Sequence, residues 1–105
     1  MKLLTKELLD RFAKVGSQEN VKDPIVIASY FNPAGAGRWF ATEYDPKTRN
    51  IFGYASLFND HNNEWGYTNL DELEDFKGAM GLGIERDLHW TEKTMTEAKK
   101  QKGVV

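Results

Sequence analysis

Cysteine is absent from this 105-residue chain, histidine occurs only twice, and neither charge sign dominates. The first absence excludes disulfides, thiol nucleophiles and thiolate metal sites. With only His61 and His89 as imidazoles and no HExxH motif, a structural zinc site would need a carboxylate-rich shell, so no metal is expected. Fourteen Lys plus Arg stand against 16 Asp plus Glu, a formal charge of −2, and so weak a field does not draw in nucleic acid or an anionic membrane. No apolar run approaches the roughly 18 residues of a membrane helix, and none resembles a secretion signal. No membrane partner is therefore expected, and the expected location is cytoplasmic.

Several catalytic signatures are also missing. No GxSxG surrounds Ser17, Ser29 or Ser56, and no GxxxxGK[ST] loop is present to cradle phosphate. The glycine-rich stretches GAGRWF (35–40) and GAMGLG (78–83) do not follow a strand and open a helix as dinucleotide-binding loops do, so their glycines read as turn residues. The DHNNE stretch (60–64) offers oxygen ligands and one imidazole, but such a composition is that of a turn. No cofactor is expected, and the balance is against an enzyme.

What is present is the mixture of a foldable chain: 40% hydrophobic, 12% aromatic and 29% charged residues, expected to form a single domain over residues 1–105. In TKELLDRFAKV (5–15), Leu8, Leu9, Phe12 and Val15 share a helical face, with Thr5 as N-cap and Gly16 as stop. Four β-rich runs follow at 25–31, 38–45, 51–58 and 65–68, joined by short turn-rich segments that make antiparallel neighbours. Asn69 and Glu72 form a capping-box-like pair ahead of LDELEDF, where Leu70, Leu73 and Phe76 share a face and Gly78 ends the turn. GIERDLHW (83–90) reads as a fifth strand, and residues 94–105 as a polar C-terminal helix or frayed tail. The expected fold is α+β: a mostly antiparallel five-stranded sheet, a meander of four plus one, with short helices in the order α-β-β-β-β-α-β-α.

Alternation places Ile25, Ile27 and Phe31 on one face of the first strand and Val26, Ala28 and Tyr30 on the other. Neither face is polar, so the sheet is expected to be covered twice, by helices, a partner subunit or a ligand.

GIERDLHW packs four ionisable side chains into eight residues. As an extended strand it sends Ile84, Arg86, Leu88 and Trp90 one way and Glu85, Asp87 and His89 the other. The acidic and imidazole face could hold a proton or a divalent ion, or be a solvated edge whose charges deter pairing, and the second reading is favoured. Arg86, among apolar neighbours, needs a carboxylate, with Glu43 and Asp45 as candidates. In GRWFATEYDP (37–46), Arg38, Trp39 and Tyr44 have the composition of an interface rim, which the large aromatics Trp65 and Tyr67 could extend. FGYASL (52–57) shares alternate aromatics with RNA-recognition strands, but Asn50 and Ile51 stand where a basic residue and glycine belong. Nucleic acid is accordingly not the expected partner. The acidic run DELED (71–75) is read as the solvated face of its helix.

The blocks LLTKELL, DPIVIASYF, WFATEYDP, GYTNLDELE and GIERDLHW resemble those of a small bacterial family catalogued as domain of unknown function 2958. The resemblance covers roughly residues 3 to 90 and leaves EAKKQKGVV outside; Gly83 stands where the family pattern commonly has proline. It implies small intracellular proteins, often encoded on conjugative plasmids and other mobile elements, and it assigns no catalytic residue.

The leading expectation is an accessory or binding protein of mobile-element type, acting through a protein partner or as a homodimer. Its candidate binding residues are Arg38, Trp39, Tyr44, Trp65, Glu85, Arg86, Asp87 and His89. A ligand binder or enzyme built on Glu85, Asp87 and His89 is the first alternative; single-stranded nucleic-acid binding through Phe52 and Tyr54 is the second.

Overall fold

The computed structural model describes residues 2–58 and 62–105. Asp60 and His61 of the DHNNE stretch therefore lie outside the described residues. The chain is α+β, with helices α1 (Lys6–Val15), α2 (Leu70–Asp75) and α3 (Met95–Lys102) and strands β1 (Ile25–Val26), β2 (Ala28–Phe31), β3 (Arg38–Asp45), β4 (Asn50–Ser56), β5 (Glu64–Asn69), β6 (Glu85–Arg86) and β7 (Lys93–Thr94). Five strands form one antiparallel sheet in the order β5-β4-β3-β2-β6, and β1 pairs with β7 alone. This is the expected meander of four with a fifth strand added beside its first member.

Helix ends follow local chemistry. Thr5 Oγ1 accepts the Leu8 N–H, and α1 stops at Gly16, whose φ of 67° suits a residue without Cβ. Asn69 ends β5 and caps α2 by accepting from the Glu72 N–H; α2 stops at Phe76, before Gly78. α3 carries a full capping box between Thr94 and Glu97, and Gly103 closes it in the left-handed region.

Both faces of the sheet are covered. On one, Phe12 of α1 and Leu70 and Leu73 of α2 pack with Leu3, Ala28, Tyr30, Ala41 and Ile51. On the other, Met95 and Ala98 of α3 pack with Val26, Phe40 and Tyr54, joined by Trp90. Two-sided burial explains why the strands show no simple apolar and polar alternation.

Two expected alternations fail for identifiable reasons. The run 25–31 is broken at Ile27, so Val26 goes to the α3 face while Ala28 and Tyr30 go to the α1 face. The run 83–90 shortens to Glu85–Arg86 because Asp87 turns the chain: its Oδ1 accepts the His89 N–H at 3.1 Å and its carbonyl accepts the Trp90 N–H at 3.3 Å. Trp90, expected beside Ile84, instead lies on the α3 face, where its indole N–H donates to the Val26 carbonyl at 3.0 Å.

A bulge at Thr42 shifts the β3–β4 register between Ala41 and Glu43. Gln18, buried in the loop after α1, fills the resulting gap. Its Nε2 donates to the carbonyls of Ile25 and Thr42, each at 2.9 Å, and its Oε1 accepts the Ile25 N–H at 2.8 Å. One amide side chain thus completes backbone pairing that β1 and β3 do not make directly.

Candidate functional site

The eight candidate residues do not come together at one place. Trp39 and Tyr44 lie on the α1 face, packed against the core, with the Tyr44 ring 5.8 Å from that of Phe12. Arg38 is on the opposite face, as its pairing with Phe31 and Ser56 requires, and Trp65 is on that face two strands away, opposite Tyr54. The expected Arg38–Trp39–Tyr44–Trp65 rim is therefore not one surface: alternation along β3 divides it between the two sides of the sheet.

The charged stretch is divided as well. Arg86 lies opposite Tyr30 and Glu85 opposite Phe31. The carboxylates considered for Arg86 sit toward the far end of β3 and make other bonds: Glu43 Oε2 accepts the Gln18 N–H and Asp45 Oδ1 the Lys47 N–H. Asp87 meets Arg38 Nη1 at 3.7 Å and Lys102 Nζ at 3.2 Å, while Arg38 also donates to Ser29 Oγ at 2.8 Å. Burial by itself would raise the Asp87 carboxyl, but the His89 N–H, Lys102 and Arg38 outweigh it and hold the group below the ordinary carboxylate range. His89 is exposed in the turn, and what it brings to Asp87 is its main-chain N–H. The arrangement is an ion-paired clasp joining β3, the 87–89 turn and the end of α3. Among the described residues no group of three His, Cys, Asp or Glu could hold a metal ion.

The aromatic side chains of β4 and β5 make a different kind of surface. Tyr54 is covered: Lys99 Nζ lies 3.7 Å from its ring centroid, and its hydroxyl donates to the Val105 carbonyl at 2.7 Å. The pair Phe52 and Tyr54 is thus not an open stacking platform. Phe52 instead groups with Trp65, stacked at 6.0 Å, and with Tyr67, edge-on at 5.0 Å. Trp65 is 43% exposed and Tyr67 75%.

These rings floor a cleft of about 530 Å³, within the range of ligand-sized pockets, whose far wall is the 17–24 loop with Glu19, Val21 and Lys22. On the other side of β5 lies a second cleft of about 530 Å³, lined by Leu57, Phe58, Leu73, Phe76 and Ile84 among others. Tyr67 borders both clefts. The strand between them ends the sheet, with β4 on one side and no strand on the other among the described residues.

Sequence reasoning found Trp65 and Tyr67 as large aromatics but not Glu43 or the 17–24 loop as their neighbours. Period-two alternation could place Phe52, Trp65 and Tyr67 together once the β4–β5 register was known; nothing local to SQENVKDP marks it as a wall. Among the described residues no helix is long and apolar enough to cross a membrane.

Comparison with curated proteins and with solved structures finds no match. A family model matches residues 3–101, extending past the 3–90 carried by the sequence blocks to take in most of α3. A match over nearly the whole length settles the relationship: the chain belongs to the family described as protein of unknown function (DUF2958).

Proposed function

We propose that this protein is an accessory binding module, of the mobile-element type its family resemblance implies, and that it recognises an extended segment of a partner protein by strand addition at β5. The observation that carries this reading is the β5 edge, six residues long and unpaired on its outer side among the described residues, flanked by an aromatic-floored cleft with charged walls on one face of the sheet and a mostly apolar cleft on the other. A strand laid along β5 would complete the unpaired backbone groups and send alternate side chains into the two clefts.

Edge strands are ordinarily blunted by proline, lysine, bulges or shortness. EWGYTN has neither of the first two, and the β4–β5 register runs without a break from Asn50–Asn69 to Ala55–Glu64. Charge favours a partner over a second copy. Glu19, Glu43, Glu64 and Glu72 border the two clefts against the single Lys22, and EWGYTN brings no cation to pair with them. A basic, apolar-alternating segment complements this edge; another β5 does not.

The test is selection of binders from a displayed library of extended peptides, followed by backbone amide exchange on the complex. Selected peptides enriched in Arg or Lys that slow exchange at 64–69 support the proposal. Binders that protect only other elements, or a homodimer in solution whose interface is β5, would overturn it.

A further inference from the structure

We infer that the cleft on the α3 side of β5 is a subsite for a guanidinium, so that the partner segment proposed above carries an arginine at the position facing Glu43; the identity of the carrier rests on that reading. Three strands place the groups in one row. Glu43 on β3 is opposite Phe52 on β4, and Phe52 is opposite Tyr67 on β5. The Thr42 bulge produces this alignment, because the register shift it causes pairs Glu43, rather than Thr42, with Phe52. Trp65 stacks on Phe52 at an interplanar angle of 23°, so its exposed ring extends the floor of the cleft.

The carboxylate at the head of this row is held and half used. Glu43 Oε2 accepts the Gln18 main-chain N–H at 3.0 Å, which fixes the side chain against the loop. Among the described residues Oε1 accepts no hydrogen bond and Glu43 enters no salt bridge, although Lys22 lines the same cleft. A planar cation fits both features: it lies flat on exposed aromatic faces and donates from its edge to the open carboxylate oxygen. An ammonium can do the second but lacks the flat stacking surface. The remaining anionic group at the wall, Glu19, adds to the same sign of field.

The test uses a probe too small to form a strand, N-acetyl-arginine N-methylamide, titrated into the full chain and followed by backbone and indole NMR shifts. The isosteric, uncharged N-acetyl-citrulline N-methylamide and N-acetyl-lysine-type controls are run beside it. Saturable shifts at the Trp65 indole, Thr42 and Gly66 are expected for the arginine probe, with affinity for the citrulline and lysine probes roughly tenfold weaker. Glu43→Gln keeps an acceptor for the Gln18 N–H and removes the charge, and should weaken arginine binding by about tenfold. Tyr67→Ala, at a largely exposed side chain, should weaken it with the fold intact and serves as the second variant. Equal binding of arginine and citrulline, tighter binding of the lysine probe, unchanged affinity in Glu43→Gln, or shifts confined to other parts of the molecule would each overturn the subsite. Since the probe cannot extend the sheet, failure here leaves strand addition at β5 standing, and failure of strand addition leaves a measured cation site.

Discussion

The two edges of the sheet are opposites. At one, β6 contributes two residues before Asp87 turns the chain away, and Arg38 and Lys102 close on that aspartate. At the other, β5 runs six residues with Trp65 and Tyr67 exposed and a cleft on either face. The first edge is cut short by a turn and an ion pair, devices that discourage pairing; the second runs six residues with one charged residue, Glu64, at its start. The stretch GIERDLHW, with its four ionisable side chains, thus supplies the short edge strand, and EWGYTN the long one, which is unpaired on its outer side among the described residues.

The comparison breaks most completely if the frame between the edges fails. A Cβ on Gly53 would collide with the Phe40 carbonyl of the neighbouring strand, backbone that cannot swing aside. Gly53→Ala should cost about 3 kcal/mol or more, read as a lowered denaturant midpoint and loss of the β5 amide pattern. Next in size is Gln18→Ala, which strips partners from the Ile25 N–H and the Thr42 carbonyl beside the bulge. About 2–3 kcal/mol of destabilisation is expected from these groups left unsatisfied, with disturbance centred on the wall of the α3-side cleft.

The closed edge is probed by Asp87→Asn, expected to cost about 1.5–3 kcal/mol as the ion pairs with Arg38 and Lys102 are lost and the bond from the His89 N–H weakens. Its pH signature has a definite sign. Because the folded carboxyl lies below its ordinary value, its stabilisation is complete above about pH 4–5 and is lost as pH falls toward the folded pKa. The wild-type chain should therefore lose stability below that range more steeply than Asp87→Asn, in parallel urea titrations. The smallest effect on stability belongs to the open edge. Tyr67→Lys should shift it by less than about 0.5 kcal/mol, since the side chain is mostly solvated, yet it should abolish capture of basic peptides at β5. A large loss of stability in this variant would mean that Tyr67 belongs to the core.

The fold was legible to the extent that local patterns carry it. Thr5, Gly16, Asn69 and Thr94 mark helix ends because capping is settled within a few residues. Turn-rich connections between the β runs fix antiparallel neighbours, and the meander follows. Alternation failed where a single residue interrupts the pleat: Ile27 between β1 and β2, and Asp87 with its own side chain accepting the His89 N–H. The candidate rim failed for a related reason, since Arg38 and Trp39 are adjacent and adjacency in a strand means opposite faces.

By itself, the sequence determined the helices, the strand runs, the absence of a thiol framework and the family. Only the tertiary structure decided which edge of the sheet is closed, because the clasp on Asp87 joins residues from β3 and α3 that no local pattern relates. It also decided that Glu43 stands across from Phe52 and Tyr67, since a one-residue bulge at Thr42 sets that register and a bulge is a matter of how two strands fit together.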